Sequence, residues 1–104
     1  MATVDLGERV LGQWERQGLW FPGTVHERRG DQVTIVYDDG MSETLPSQFV
    51  KPLDWAVGTP IHGRWRGGDA WYPGRIGALN GFRVRIDYDD GDVEETTTVR
   101  CRAR

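Results

Sequence analysis

Residues Tyr37, Asp38, Asp39 and Gly40 return as Tyr88, Asp89, Asp90 and Gly91, a displacement of 51 positions in a chain of 104. The same displacement superimposes Gly7 on Gly58, Gly12 on Gly63, Trp14 on Trp65 and Trp20 on Trp71. It continues without a gap through Pro22 and Gly23 on Pro73 and Gly74, Gly30 on Gly81, Val33 on Val84, Ile35 on Ile86 and Glu43 on Glu94. Self-similarity at a fixed period constrains the fold more than composition does, because each copy must be one structural unit. The chain therefore reads as an internal duplication, with units at 5–53 and 56–104 and only Pro52 to Trp55 connecting them. Trp55 has no repeat partner and is expected either to wedge between the units or to cap one core.

Within the first copy, Val10 to Trp14 reads as a strand bent at Gly12, where a glycine marks a bend or a close backbone approach. Leu19 to Glu27 follows as a second strand. Its Pro22 cannot donate to a ladder, which predicts an edge or a bulge there, with Gly23 allowing a sharp bend. Val33, Ile35 and Tyr37 alternate with Thr34 and Val36 at the period of two that puts one face of a strand inward. Asp38, Asp39 and Gly40 then close a hairpin, since glycine tolerates the positive φ that tight hairpins need. Ser42 to Leu45 and Phe49 to Lys51 complete five strands. The second copy repeats the order at Pro60 to Trp65, Ala70 to Gly77, Arg83 to Tyr88, Val93 to Thr96 and Val99 to Cys101. No helical periodicity appears. Short, strongly bent strands favour a small barrel over a sandwich, because closure hides the sheet edges. The expected fold class is all-β, two tandem five-stranded barrels.

Charge narrows the function. The net charge of −3 and pI near 5.3 argue against a broad basic face of the kind that sequence-independent DNA or RNA binding requires. Residues 1–53 carry eight acids and five bases, a net of −3, whereas residues 54–104 carry eight of each. A nucleic-acid role is thus expected only of the second unit, through Arg64, Arg66, Arg83 and Arg85. The basic end, Arg100, Arg102 and Arg104, reads as a solubilising terminus. Cys101 is the single cysteine, so neither an intramolecular disulfide nor a cysteine-rich zinc site can form, and a reducing compartment is expected. No apolar run reaches the length of a membrane span, and Met1 is followed by polar and acidic residues rather than a signal core. An intracellular protein is expected, nuclear in a eukaryotic source and cytoplasmic in a bacterial one. His26 and His62 do not align with each other and lack a partner nucleophile in any familiar pattern, which points away from an enzyme. The paired carboxylates sit in loops too short for a calcium cage, and no metal or cofactor is expected.

One family shares this pattern. Gly7, Trp14, Trp20, Phe21, Pro22, Gly23, Tyr37, Asp38, Asp39 and Gly40, matched by Gly58, Trp65, Trp71, Tyr72, Pro73, Gly74, Tyr88, Asp89, Asp90 and Gly91, resemble the Tudor domain in tandem. The resemblance implies SH3-like five-stranded barrels and a recognition module without catalysis, binding a methylated lysine or arginine of a partner protein in an aromatic cage. Carried over by position, the cages are Trp14, Phe21, Tyr37 and Asp39 in the first unit and Trp65, Tyr72, Tyr88 and Asp90 in the second. Many such cages add an aromatic just after the turn glycine. Here Met41 and Asp92 stand in that place, which implies cages more open on one side.

The chemistry is independent of the family name. A methylated ammonium lacks a full set of N–H donors, yet aromatic faces attract it by roughly 0.5–2 kcal/mol per contact. A neighbouring acid neutralises the charge and accepts any remaining N–H. Dimethylarginine would instead stack in a planar slot. Rings at repeated positions also serve as packing, which is the expectation for Trp20 and Trp71, and for the cage residues both roles stay open. A nucleic-acid-binding tandem barrel and a dimerising adaptor remain as alternatives, with a monomer expected of the cage reading.

Overall fold

The computed structural model describes residues 5–103. The first half forms one antiparallel sheet of β1 (Arg9–Gln13), β2 (Trp20–Arg29), β3 (Gln32–Tyr37), β4 (Ser42–Pro46) and β5 (Val50–Pro52), in the order β4-β3-β2-β1-β5. The second half forms another from β6 (Pro60–Gly63), β7 (Tyr72–Asn80), β8 (Arg83–Tyr88), β9 (Val93–Thr97) and β10 (Cys101–Arg102). Its order, β10-β6-β7-β8-β9, is the same one read from the other edge. The described residues fall into two compact units that divide between Leu53 and Asp54. Trp55, in the second of them, is buried.

Period-two patterning places the cores. Along β3, Val33, Ile35 and Tyr37 are buried while Gln32 and Val36 are exposed, and β8 does the same with Val84, Ile86 and Tyr88 against Arg83 and Arg85. In the first unit Val10, Val25 and Leu45 join that face, with Trp14, Phe21, Phe49 and Val50 half-buried against it. In the second, Ile61, Ile76 and Cys101 are buried. Burial, followed by the nearby Glu94 carboxylate, pushes the Cys101 thiol up to about 12, so it stays protonated and weakly nucleophilic.

The strand glycines are explained by what lies over them. A Cβ on Gly12 would stand 2.6 Å from Ile35 Cδ1 and 2.7 Å from the Tyr37 hydroxyl oxygen, and one on Gly63 would stand 2.6 Å from the Tyr88 hydroxyl. The tyrosine ring therefore lies across the bare backbone of the first strand of its unit. Gly63→Ala is expected to push Tyr88 and Ile86 out of register and to destabilise the second unit by about 1–3 kcal/mol, readable as a lowered urea midpoint.

Pro22 pairs with Leu11 on β1, whereas the β3 ladder starts one residue later, at Gly23 opposite Tyr37. The proline carbonyl accepts from Asp38 N at 3.0 Å, and its missing N–H falls where the β3 ladder has already ended. The bulge that proline could have marked lies further on. The register shifts between Val25 and Glu27, and between Ile76 and Ala78, leaving His26 and its repeat partner Gly77 as the extra residues.

Trp14 and Trp65 were expected to end strands. Instead each opens a short 3-10 turn, Trp14–Arg16 and Trp65–Gly67, in which Glu15 and Arg66 adopt φ of 53° and 52°. Positive φ at a residue other than glycine is uncommon and needs a local reason. That reason belongs to the candidate site.

Candidate functional site

The hairpin turns at the end of β3 and β8 have one geometry. Gly40 N donates to Tyr37 O at 2.9 Å, Tyr37 N to Met41 O at 2.7 Å, and Met41 N to Asp39 Oδ1 at 2.9 Å. In the second unit Gly91 N donates to Tyr88 O at 3.0 Å, Tyr88 N to Asp92 O at 2.8 Å, and Asp92 N to Asp90 Oδ1 at 3.0 Å. These are three-residue loops whose last residue, Gly40 or Gly91, has φ of 92° or 97°, the place where glycine is needed. The second acid of each loop thus spends one carboxylate oxygen on the turn itself.

The first acid differs between the units. Asp38, its side chain only 5 % exposed, is held by both terminal nitrogens of the Arg9 guanidinium, one of them at 2.7 Å from Oδ2. Position 60, the repeat partner of Arg9, is proline, so Asp89 has no such clamp.

The tyrosines of the motif are core residues. Tyr37 is 4 % and Tyr88 6 % exposed, and each meets its tryptophan edge to face, Trp14 to Tyr37 and Trp65 to Tyr88 both at 5.5 Å, with the planes at 81° and 83°. The ring lies inside because glycine leaves it room. The hydroxyl ends on a carboxylate that motif reasoning had not assigned a role. Tyr37 donates to Glu43 Oε1 at 3.0 Å, and Tyr88 to Glu94 Oε1 at 2.8 Å.

The same carboxylate anchors the strained turn. Glu43 accepts from Glu15 N at 3.1 Å, and Glu94 Oε2 from Arg66 N at 2.7 Å. One glutamate therefore fastens the buried tyrosine to the turn that presents the tryptophan, and the bond compensates the positive φ. A signal for it existed in the sequence. Glu43 is in phase with Leu45 on the inward face of β4, and Glu94 repeats it, which is unusual for an acid unless a partner waits inside.

Burial first, and then the Glu43 or Glu94 carboxylate, raises the Tyr37 and Tyr88 phenols well above their ordinary value near 10. A folded-state pKa above the unfolded one means that the fold favours the protonated phenol. The resulting stability is complete below about pH 10 and is lost as pH climbs toward the folded values. Alkaline titration followed by near-ultraviolet absorbance is therefore expected to show Tyr37 and Tyr88 ionising together with unfolding rather than before it.

In the second unit the predicted residues line a half-open cavity. A cavity of about 230 Å³ is lined by Trp65, Tyr72, Tyr88, Asp90 and Asp92. Tyr72, 48 % exposed, forms its outer wall. Asp92 occupies the place where a further aromatic would have stood, so an acidic residue rather than a ring borders the cavity there. In the first unit Trp14 and Phe21 are half-buried and packed on the core, Asp39 is exposed, and Met41 is 52 % exposed.

Trp20 and Trp71 lie apart from these clusters and carry cations. Lys51 Nζ stands 4.3 Å from the Trp20 ring centre and Arg102 Cζ 4.2 Å from that of Trp71, with Arg64 at 5.7 Å. Lys51 and Arg102 are repeat partners, so this is a shared cation-π device rather than a second cage.

Three of the four arginines considered for nucleic acid are engaged within their own unit. Arg64 Nε donates to Gly68 O at 2.7 Å, Arg66 lies 5.0 Å over the Trp65 ring, and Arg85 donates to Asp87 Oδ1 at 3.1 Å and Gly77 O at 3.2 Å. Arg83 and Arg85 share a shallow cavity of about 190 Å³ with Glu95, which sits directly across from Arg85. His26 is exposed and His62 half-buried on β6, which places neither in the candidate cavity. Among the described residues no group of three or more histidine, cysteine, aspartate and glutamate side chains could hold a metal, and no helix is long and apolar enough to cross a membrane.

No family model matches the sequence, and no curated protein does. Solved structures do. The crystal structure of the ADCP1 tandem Agenet domain 3-4 is similar over 96 % of this chain and 79 % of its own, at 21 % identity and a TM-score of 0.43. The Arabidopsis thaliana AGDP1 AGD34 structure is similar over 96 % of this chain and 82 % of its own, at 22 % identity and a TM-score of 0.44. Similarity at that level carries no weight for the site, which stands on the cavity and its five lining residues.

Proposed function

We propose that this chain is a non-catalytic recognition module of the Tudor type, and that its second unit holds a methylated lysine side chain of a partner protein between Trp65, Tyr72, Tyr88, Asp90 and Asp92. The observation that carries the proposal is the half-open cavity of about 230 Å³ lined by three aromatic and two acidic residues. Rings offer the π faces that attract a poorly hydrated cation, and the acids neutralise its charge. Trp14, Phe21, Tyr37 and Asp39 supply the corresponding set in the first unit.

Ring orientation favours lysine over arginine. Trp65 and Tyr88 stand at 83° to each other, which makes a corner rather than a parallel-walled slot. A corner fits the compact, roughly spherical methylammonium group, whereas a planar guanidinium stacks best in a slot.

The test is a tryptophan-fluorescence titration with peptides that differ only in lysine methylation, repeated at two salt concentrations. Saturable quenching by methylated peptide, absent with the unmethylated one and little changed by salt, is expected. Binding of nucleic acid that falls steeply with salt and disappears with Arg83→Ala and Arg85→Ala, with no response to methylated peptide, would replace this function with phosphate recognition.

A further inference from the structure

The duplication sets one carboxylate in two different surroundings. Asp38 and Asp89 open matching hairpins, and their N–H groups donate to matching prolines, Asp38 N to Pro22 O at 3.0 Å and Asp89 N to Pro73 O at 3.1 Å. Both side chains therefore leave the turn from the same place. In the first unit Arg9 meets the carboxylate there. Its two terminal nitrogens reach the two oxygens of Asp38, and Nη1 also donates to Thr24 Oγ1 at 3.2 Å, on the residue opposite Arg9 in the ladder between β1 and β2.

The second unit keeps the acid and loses the clamp. The ladder position of Arg9 and Thr24 is taken by Pro60 and Arg75. A proline ring is too short to replace an arginine, and Arg75 is turned to another acceptor, its Nη1 donating to Gly58 O at 3.0 Å. Asp89 is exposed, and its carboxylate has no hydrogen-bond or ion-pair partner among the described residues. Pro60, Arg75 and Asp89, the repeat partners of Arg9, Thr24 and Asp38, border a half-open cavity of about 220 Å³ together with His62 and Pro73. The residues that surround a guanidinium in one unit thus surround space in the other.

We infer that this cavity takes the guanidinium of an unmodified arginine presented by a partner protein, in the two-oxygen clamp that Asp38 makes with Arg9. A carboxylate with both oxygens available pairs with the parallel N–H groups of a guanidinium, which the point charge of a lysine ammonium cannot match. The two prolines suit the same ligand, because a guanidinium is more weakly hydrated than an ammonium and its flat face lies against apolar surface at less cost. Arg75 stands at the rim as a like charge and lowers the affinity. The site uses no residue of the methyllysine cavity, so its failure would leave that reading untouched.

The test titrates the full chain with capped glycine-rich peptides that carry a single arginine, lysine or citrulline, following the backbone amide signals of Asp89 and Asp38 by NMR. The arginine peptide is expected to shift Asp89 saturably in the millimolar range, about fivefold more tightly than the lysine peptide. Citrulline, which keeps the shape and loses the charge, should give no response, and Asp38, already clamped, should not move. Asp89→Asn should weaken binding about tenfold or more. Pro60→Arg should rebuild the clamp of the first unit and abolish binding at Asp89, whereas Arg9→Ala should open the first unit and create a new response at Asp38. These two variants lie in different units, so a failure of one to fold, read by circular dichroism, leaves the other decisive. Arg75→Ala should tighten binding. An Asp89 signal unmoved at about 20 mM arginine peptide overturns the inference, as does equal binding of lysine or unchanged binding in Pro60→Arg. Loss of binding in Arg75→Ala overturns it as well, because the cavity would then be an anion site.

Discussion

Tyr72→Ala is expected to weaken methyllysine binding about tenfold while leaving stability within about 0.5 kcal/mol of the parent chain. Tyr72 is the one cavity ring that is largely exposed, at 48 %, and it opens β7 opposite Gly63 at the strand end. Its ring contributes little to the core, so removal takes away one π wall and little else. Trp65→Ala removes a larger wall, but it also breaks the edge contact with Tyr88, and its loss of affinity would be confounded by loss of structure. Tyr72→Phe should bind almost as the parent does if the ring face is what matters. A tenfold loss in Tyr72→Phe would mean that the hydroxyl, and not the π face, holds the ligand. Isothermal calorimetry on the two variants, with urea unfolding as the control, decides between these.

The second large effect concerns Glu94. Glu94→Ala leaves the Tyr88 hydroxyl, in a ring 6 % exposed, without its acceptor, and it releases the Arg66 N–H that closes the turn after Trp65. An unsatisfied buried hydroxyl costs about 1–3 kcal/mol, and the freed turn at positive φ adds to it, for a total of about 2–4 kcal/mol. Thermal unfolding should fall by about 8 °C or more, on the order of 4–8 °C per kcal/mol for a domain of this class. Binding should weaken as well, because the turn carries Trp65. Glu94→Gln keeps one acceptor for the phenol and should recover part of the stability. If Glu94→Ala unfolds at the temperature of the parent chain, water satisfies both donors and the glutamate is not the fastening of the site.

Which parts of this were legible in the sequence follows from their range of interaction. The hairpins were, because Asp39-Gly40 and Asp90-Gly91 encode their own turn within four residues. The close approach at Gly12 was, because a glycine inside a strand has few other uses. The inward face of β3 was visible in its alternation, and the cavity residues Trp65, Tyr72, Tyr88 and Asp90 were named from a repeated motif. What escaped depends on contacts between distant segments. The bulge at His26 and Gly77 is a property of the ladder between two strands, and the paired residues differ in kind, so composition could not mark it. The turn conformation of Glu15 and Arg66 runs against the preference of both residues and exists because Glu43 and Glu94, 28 positions away, hold their N–H groups. Asp92 stood out in the sequence only as a missing aromatic. Its place on the cavity wall became visible once the hairpin positioned it.

The central claim, that Trp65, Tyr72, Tyr88, Asp90 and Asp92 receive a methylated ammonium, is tested most directly by the indole NMR signals of the five tryptophans during titration with a dimethyllysine peptide. The expected result is a saturable shift at Trp65, with little at Trp20, Trp55 or Trp71, and none with the unmethylated peptide. An unmoved Trp65 at ligand concentrations on the order of 1 mM, where even a contact of about −4 kcal/mol would register, would contradict it.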